Sequence, residues 1–186
     1  MNMFFLFPVQ FEYVKRLIPK DHATVFFEVG TAEEEFGRMY VKLVFDSALV
    51  QQMKLMCSGE SGVSYKGTCF YNIDEKEGLL KGGDYEKNDG TGGKPIFTAA
   101  ELDDGFAECA YEKLTGVLVT DTHSTRFHFH LHNKKEYVRG IIGKVKVGIK
   151  LLKTLAKIQP ITSSMIRDCG VFLPMLLPEL LDESDE

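Results

Sequence analysis

The stretch YKGTCFYNIDEKEGLLKGGDYEKNDGTGGKPIF, residues 65–97, joins a β-like run to a long glycine-rich segment. Its first nine residues are rich in aromatic and β-branched side chains, which favour a strand. The glycine-rich part lacks the Walker phosphate-loop pattern, because Asn88 stands where the first glycine is needed and Pro95 follows Lys94. Its acids are also out of register for a calcium loop. The sequence therefore predicts a structural loop whose glycines adopt positive φ angles.

Short β-like runs also dominate the rest of the chain. Six more are bounded by glycines or polar turns: TVFFEVG, GRMYVKLVF, TGVLVTDT, RFHFHLH, GIIGKVKVG and SMIRDCGVF. Many short strands with few helices indicate a mainly β protein, a closed barrel whose ends are covered by helices.

Two stretches have the periodicity of a helix. DSALVQQMKLMCSGE is predicted to begin at the cap candidate Asp46 and to end at Gly59. Its apolar face consists of Leu49, Val50, Met53 and Met56. GIKLLKTLAKI carries a second apolar face opposite its lysines, formed by Ile149, Leu152, Leu155 and Ile158.

Composition bounds the class of protein. The chain has 186 residues, 44% of them hydrophobic, and a formal net charge of −5, which fits one globular domain with terminal extensions. Its four cysteines form no CxxC pair, so we expect free thiols in a reducing compartment, cytoplasmic or nuclear. No apolar run reaches the roughly 18 residues of a membrane span, and the start lacks the pattern of a secretory signal.

The segment 65–97 and its flanks resemble the cyclophilins, the peptidyl-prolyl cis-trans isomerases. The matching parts stand in the family's order: the hairpin VFFEVGTAEEEFGRMYVKLVFD, the helix end MKLMCSGE, the stretch YKGTCFYNI…KGGDYEKNDGTGGKPIF, the strand and helix GIIGKVKVGIKLLKTLAKI, and IRDCG. The resemblance implies an eight-stranded antiparallel β-barrel with two capping α-helices over residues 24–171. An N-terminal extension, 1–23, and an apolar-acidic tail, 172–186, would flank that domain.

The resemblance also shows where the catalytic pattern of the family has changed. The family's FHRI motif, whose arginine donates to the proline nitrogen, is Phe70-Tyr71-Asn72-Ile73 here. The Gln of the family is replaced by Lys81, and Leu79 stands near the position of its Met. The family's SQFFI strand matches residues 125–129. This match places Arg126 and His128 in the peptide groove, and His128 takes the position of a Phe that lines the family's proline pocket. The chain contains no Trp, which typical members use in the groove.

The strand TRFHFHLHN, residues 125–133, alternates histidines with apolar residues. Successive side chains of a strand point to opposite faces, so His128, His130 and His132 are predicted to share an exposed face opposite Phe127 and Phe129. A zinc site would need further ligands, for which the nearby candidates are His123 and Cys109. We expect an exposed strand face instead, with no metal and no cofactor.

These substitutions predict a protein- or peptide-binding module with little or no X-Pro isomerase activity. Losing one preorganised donor typically costs about 10²–10³ in rate, and no catalytic residue is assigned here. The alternative is a weakly active isomerase that assists protein folding. The candidate groove residues are Asn72, Leu79, Lys81, Arg126 and His128.

The charge pattern bears on partners. Residues 126–157 are basic with Glu136 as their only acid, but they lack the aromatic interleaving of RNA-binding sequences, so neither nucleic acid nor membrane is expected as a partner. Arg126, His128, His130 and Lys81 suggest an acidic or phosphorylated segment, bound more strongly as pH falls from about 7.5 to 6. The alternative is a solvated polar face that binds nothing. The chain's own PELLDESDE, residues 178–186, is one candidate. The leucines before it either pack on the barrel or form a linear motif for a partner.

Overall fold

The structure is a computed structural model that describes residues 23–44, 46–103, 109–111, 114–133 and 136–173. The terminal extensions 1–23 and 172–186 predicted from the sequence thus lie almost entirely outside the described residues. The β-strands are β1 Thr24–Gly30, β2 Glu35–Leu43, β3 Asn72–Asp74, β4 Leu79–Gly82, β5 Cys109–Tyr111, β6 Val117–Thr120, β7 Phe127–His130, β8 Glu136–Val138, β9 Ile141–Val147 and β10 Met165–Phe172. The α-helices are α1 Ala48–Ser58, α2 Ala99–Asp103 and α3 Ile149–Leu155, and Ile161–Ser163 forms a 3₁₀ turn.

Eight strands form one antiparallel sheet that curls into a half-barrel, in the order β10-β1-β2-β9-β6-β7-β4-β3. β5 and β8 pair separately. The segment that leads into β3 is joined to the start of β10, because Phe70 N–H donates to Ser164 O at 2.9 Å and Ile166 N–H donates to Thr68 O at 2.8 Å. The predicted mainly β, antiparallel class is confirmed. The predicted closed barrel is not, because the sheet curls into a half-barrel.

Aromatic rings fill the inside of the curled sheet. Phe127 and Phe129 are 1% and 0% exposed, as the alternation along β7 predicts. The ring centroid of Phe127 lies 5.8 Å from that of Phe27 and 5.1 Å from that of Tyr65. Tyr65 also donates its hydroxyl to Thr125 O at 2.6 Å, so the core aromatic fixes the residue just before β7. The inner face of β7 is therefore rigidly packed.

Helix α1 covers one opening of the sheet. The four apolar residues predicted for its buried face are all at most 1% exposed: Leu49, Val50, Met53 and Met56. It ends at Gly59, whose φ of 73° is left-handed, as predicted. The predicted cap is wrong by one residue: Ser47 Oγ accepts from Val50 N–H at 3.3 Å, and Asp46 instead accepts from the Gln51 side chain at 2.6 Å.

Helix α3 buries Leu152 and Leu155 completely, and Ile149 and Ile158 pack at the edge of the core. The count of two helices is not confirmed, because α2 forms a further short helix. Glu101 Oε2 accepts from Thr98 N–H at 2.8 Å at its start, an arrangement that satisfies donors at a helix N-terminus. Five residues are too few for helical periodicity to be visible in the sequence. No helix among the described residues is long and apolar enough to cross a membrane.

Candidate functional site

The pairing of three strands brings groove candidates into one row. Asn72 on β3 pairs with Lys81 on β4, and Lys81 pairs with His128 on β7. Residues directly opposite one another in antiparallel strands project from the same face of the sheet. Because Phe127 and Phe129 occupy the inner face of β7, the row Asn72, Lys81 and His128 lies on the outer face. Leu79 is two residues from Lys81 and shares that face.

A cleft of about 470 Å³ opens over this row. Its lining residues are Tyr71, Asn72, Leu79, Lys81, Asp89, Gly90, Asp121, Arg126, Phe127 and His128. All five sequence-predicted groove residues are therefore brought together in one cleft. Sequence reasoning missed the two aspartates and Tyr71, which reach the cleft from separate loops.

Arg126 is held at one end of the cleft by three acceptors. Its guanidinium donates to Asp121 Oδ2 at 3.0 Å, to Ser124 Oγ at 3.2 Å and to Gly90 O. The arginine stem also lies against Gly93, where an added Cβ would be 3.0 Å from Arg126 Cγ. The guanidinium is thus held at the side of the cleft by these three acceptors.

Lys81 is paired as well. Its Nζ lies 3.6 Å from Asp74 Oδ2, and both side chains are about one-third exposed. Among the cleft-lining side chains, Lys81 and Arg126 carry positive charge, and Asp89 and Asp121 carry negative charge. Two positive and two negative groups leave the lining electrically balanced, so a strongly basic groove is not what the side chains form.

His128 is largely shielded from solvent in the cleft. Burial, helped by the nearby His130 and Lys81, lowers the pKa of its imidazole to about 4. The two imidazole centroids are 5.4 Å apart. Because the pKa is lowered to about 4, His128 stays neutral between pH 7.5 and 6. It cannot supply the pH-dependent charge expected from the sequence.

The three histidines do not form one exposed face. His130 is only 6% exposed, whereas His132 is exposed and its ring lies against Gly78. β7 ends at His130, so the alternation that the sequence predicts stops before His132. The prediction of a shared exposed face is therefore wrong, because His130 is buried, His128 is largely shielded and His132 follows the end of the strand.

Tyr71 closes the side of the cleft next to the glycine-rich loop. Burial raises the pKa of its phenol to about 12, and the nearby Asp121 carboxylate acts in the same direction. Its ring packs against Gly90, where an added Cβ would lie 2.6 Å from the ring. Gly90 has a φ of 86°, which an L side chain rarely adopts. The neutral hydroxyl of Tyr71 therefore adds a polar but uncharged group to the cleft.

The glycine-rich loop is built around the buried carboxylate of Asp84. Its Oδ1 accepts from the backbone N–H groups of Glu86 and Lys87, and its Oδ2 accepts from residues 89, 90 and 92. Burial alone would raise the pKa of Asp84, but these hydrogen bonds lower it to about 2. The loop thus has the structural role that the sequence predicts, and it presents Gly90 O to Arg126.

Helix α1 supports the Arg126 end of the cleft from inside the protein. The buried side chain of Gln52 donates to Ser124 O at 2.8 Å and accepts from Ile96 N–H at 2.9 Å. Thr125 Oγ1 donates to Gly83 O at 3.0 Å. The residues immediately before Arg126 are therefore fixed by buried hydrogen bonds, which preorganises the cleft wall.

A second cleft, of about 450 Å³, lies between the β3–β4 hairpin and α3. Ile73, Leu131 and Ala156 give it an apolar floor, and Lys153 and Lys157 stand at its rim. None of the sequence-predicted groove residues lines it. The two clefts are therefore distinct surfaces.

The described residues contain no group of three or more His, Cys, Asp or Glu side chains that could hold a metal ion. His123, a candidate ligand in the sequence, is exposed and lies 3.7 Å from Asp103 Oδ1. The side chain of Cys109 is outside the described part. The first cleft therefore offers hydrogen-bonding groups and charge pairs for binding. No protein-family model matches the chain.

Proposed function

We propose that this protein is a cyclophilin-like module that binds a protein or peptide segment and has little or no X-Pro isomerase activity. The observation that carries the proposal is the convergence of Asn72, Leu79, Lys81, Arg126 and His128 on one cleft. These are the positions that the resemblance to cyclophilins assigns to the peptide groove. The antiparallel, curled sheet supports the same family of folds, with its helices as covers.

The weak catalysis follows from the chemistry at the positions that match the isomerase site. Asn72 offers a short neutral amide where the family has an arginine that donates to the proline nitrogen. Lys81 is engaged by Asp74, and its ammonium is not a planar guanidinium fork. Loss of one preorganised donor typically costs about 10²–10³ in rate.

The alternative function is a weakly active isomerase that assists folding, and Arg126 is the feature that favours it. Its guanidinium lines the cleft next to Phe127, as a substitute donor would have to do. Asp121, Ser124 and Gly90 already occupy its N–H groups, however. A substrate would have to displace those acceptors before Arg126 could polarise a proline amide.

The balanced charge of the cleft narrows the class of partner. An acidic segment would compete with Asp121 for Arg126. A phosphate group carries nearly two negative charges and three strong acceptor oxygens, so it competes better than a carboxylate. A phosphorylated or uncharged polar peptide is therefore a better partner than a merely acidic one. We place this binding in the cytoplasm or nucleus, where the thiols of the chain would stay reduced.

Titration of the ¹⁵N-labelled protein with proline peptides tests the proposal. Unphosphorylated, phosphoserine and aspartate versions of one peptide should differ in affinity, and shifts should concentrate at Lys81, Arg126 and His128. Lys81→Ala should weaken binding, whereas Lys157→Ala in the second cleft is the matched control and should not. Shifts confined to the second cleft, or equal losses in both variants, would refute binding in the first cleft.

A further inference from the structure

Two cysteines and a serine meet where α1 packs against β10. Cys57 is in the last turn of α1, and Cys169 lies on β10 opposite Phe27 of β1. Cys169 Sγ donates to Cys57 O at 3.4 Å, and its sulfur is 3.5 Å from Ser64 Oγ. We call Cys57, Ser64 and Cys169 the thiol cluster. It is formed by residues far apart in sequence and contributes nothing to the lining of either cleft.

The two thiols have different environments. Cys57 is 2% exposed, and burial raises its pKa well above the ordinary value. Cys169 is partly exposed. The Cys57 side chain lowers the pKa of Cys169 against the opposing effect of burial, and the Ser64 hydroxyl contributes in the same direction. The Cys57 thiol itself donates to Met53 Sδ at 3.8 Å. An accessible thiol with a stabilised thiolate next to a buried protonated thiol is the pattern of an attacking and a resolving cysteine.

We propose that Cys169 and Cys57 form a reversible disulfide in response to hydroperoxides. The Cys169 thiolate attacks one peroxide oxygen, the O–O bond breaks, and the released hydroxide takes up a proton to form water. Cys169 is then a sulfenic acid. The Cys57 sulfur attacks the Cys169 sulfur, the S–O bond breaks, and the leaving hydroxide takes the Cys57 proton. In total, two thiols and one hydrogen peroxide give one disulfide and two waters.

Geometry favours the second step, attack of Cys57 on the oxidised Cys169. The Cys169 sulfur lies 3.4 Å from the backbone oxygen of Cys57, so the two residues are already in contact. The S–S bond length of about 2 Å can then be approached by rotation of two short side chains. This site does not depend on peptide binding in the first cleft. It can therefore be tested whether or not the proposed function holds.

The test is peroxide oxidation of the reduced, full-length chain, followed by thiol blocking and peptide mapping without reductant. We expect a peptide pair linked through Cys57 and Cys169 in the wild type. Cys69→Ser is the matched control and should give the same link, because Cys69 is half-buried and burial raises its pKa. Cys57→Ser should stop at a dimedone-reactive sulfenic acid on Cys169, and Cys169→Ser should form neither product.

The wild type provides a second measurement that requires no variant. At pH 7, limiting maleimide or peroxide should modify Cys169 faster than Cys69. Faster modification of Cys69, or a linked pair in which Cys169 joins any cysteine other than Cys57, would overturn the proposal. So would a Cys57→Ser protein, folded by circular dichroism, in which Cys169 does not react with peroxide.

Discussion

Replacing His128 by phenylalanine should remove a large part of the acid sensitivity of this protein. The imidazole is buried beneath Lys81 and beside His130, and its pKa is lowered from 6.5 to about 4. A group whose folded-state pKa is below its unfolded value stabilises the fold above the unfolded pKa. That contribution is lost as pH falls from about 6.5 to 4, because the unfolded chain then binds the proton more tightly.

The magnitude follows from the size of the shift. A shift from 6.5 to about 4, at 1.36 kcal/mol per pKa unit, corresponds to about 3 kcal/mol of unfolding free energy. Phenylalanine keeps a planar ring of similar size but has no proton to gain. Between pH 7.5 and 4, His128→Phe should therefore lose about 3 kcal/mol less stability than the wild type, whatever the carboxylates contribute to both proteins.

Urea unfolding at a series of pH values measures this difference, and the imidazole C–H resonances of the wild type report the titration of His128 directly. We expect a midpoint near 4 in the folded protein. A midpoint near 6.5 would refute the reasoning, and so would parallel stability curves for the wild type and His128→Phe. Either result would mean that the imidazole is solvated.

Three further predictions concern the cleft and its loop. Cyclosporin-type ligands should not bind at micromolar concentration in isothermal titration, since the cleft is polar and the chain has no Trp; submicromolar affinity would contradict this. Asp84→Ala should lower the unfolding free energy by about 3 kcal/mol, because it leaves loop N–H groups without their acceptor; a loss below about 0.5 kcal/mol would be inconsistent with that. Deleting residues 178–186 should leave the amide signals of Lys81 and Arg126 unmoved, because both side chains already have carboxylate partners; large shifts would show that the tail occupies the cleft.

Much of the fold could be predicted because most strands are rich in β-branched and aromatic residues and are bounded by glycines or polar turns. TVFFEVG coincides with β1, and the runs predicted around β2, β6, β7, β9 and β10 overlap the observed strands. The buried face of α1 was equally clear. β4 was missed because Leu79–Gly82 follows the charged run DEKE, which led us to expect a loop there. Residues 79–82 form a strand because they pair with β7.

The sequence predicted which residues line the candidate site, but it did not predict the ion pairs that neutralise their charges. Asn72, Lys81 and His128 share a row because of strand register, which the motif positions of the resembled family anticipate. The pairing of Arg126 with Asp121 depends on the path of a turn, and the separation of His132 from the other two histidines depends on where β7 ends. The predicted groove residues include Lys81 and Arg126, which suggested a positive groove. In the folded chain Asp74 and Asp121 pair with these two side chains.

One kinetic measurement tests the proposed loss of isomerase activity most directly: the isomerisation of a proline tetrapeptide followed by exchange NMR. With Asn72, Lys81 and His128 in place of the family's Arg, Gln and Phe, we predict a rate constant at least about 10²-fold below that of an ordinary cyclophilin measured alongside. A rate constant within about tenfold of that enzyme would contradict the account, since it would require a donor in the cleft as effective as the missing arginine.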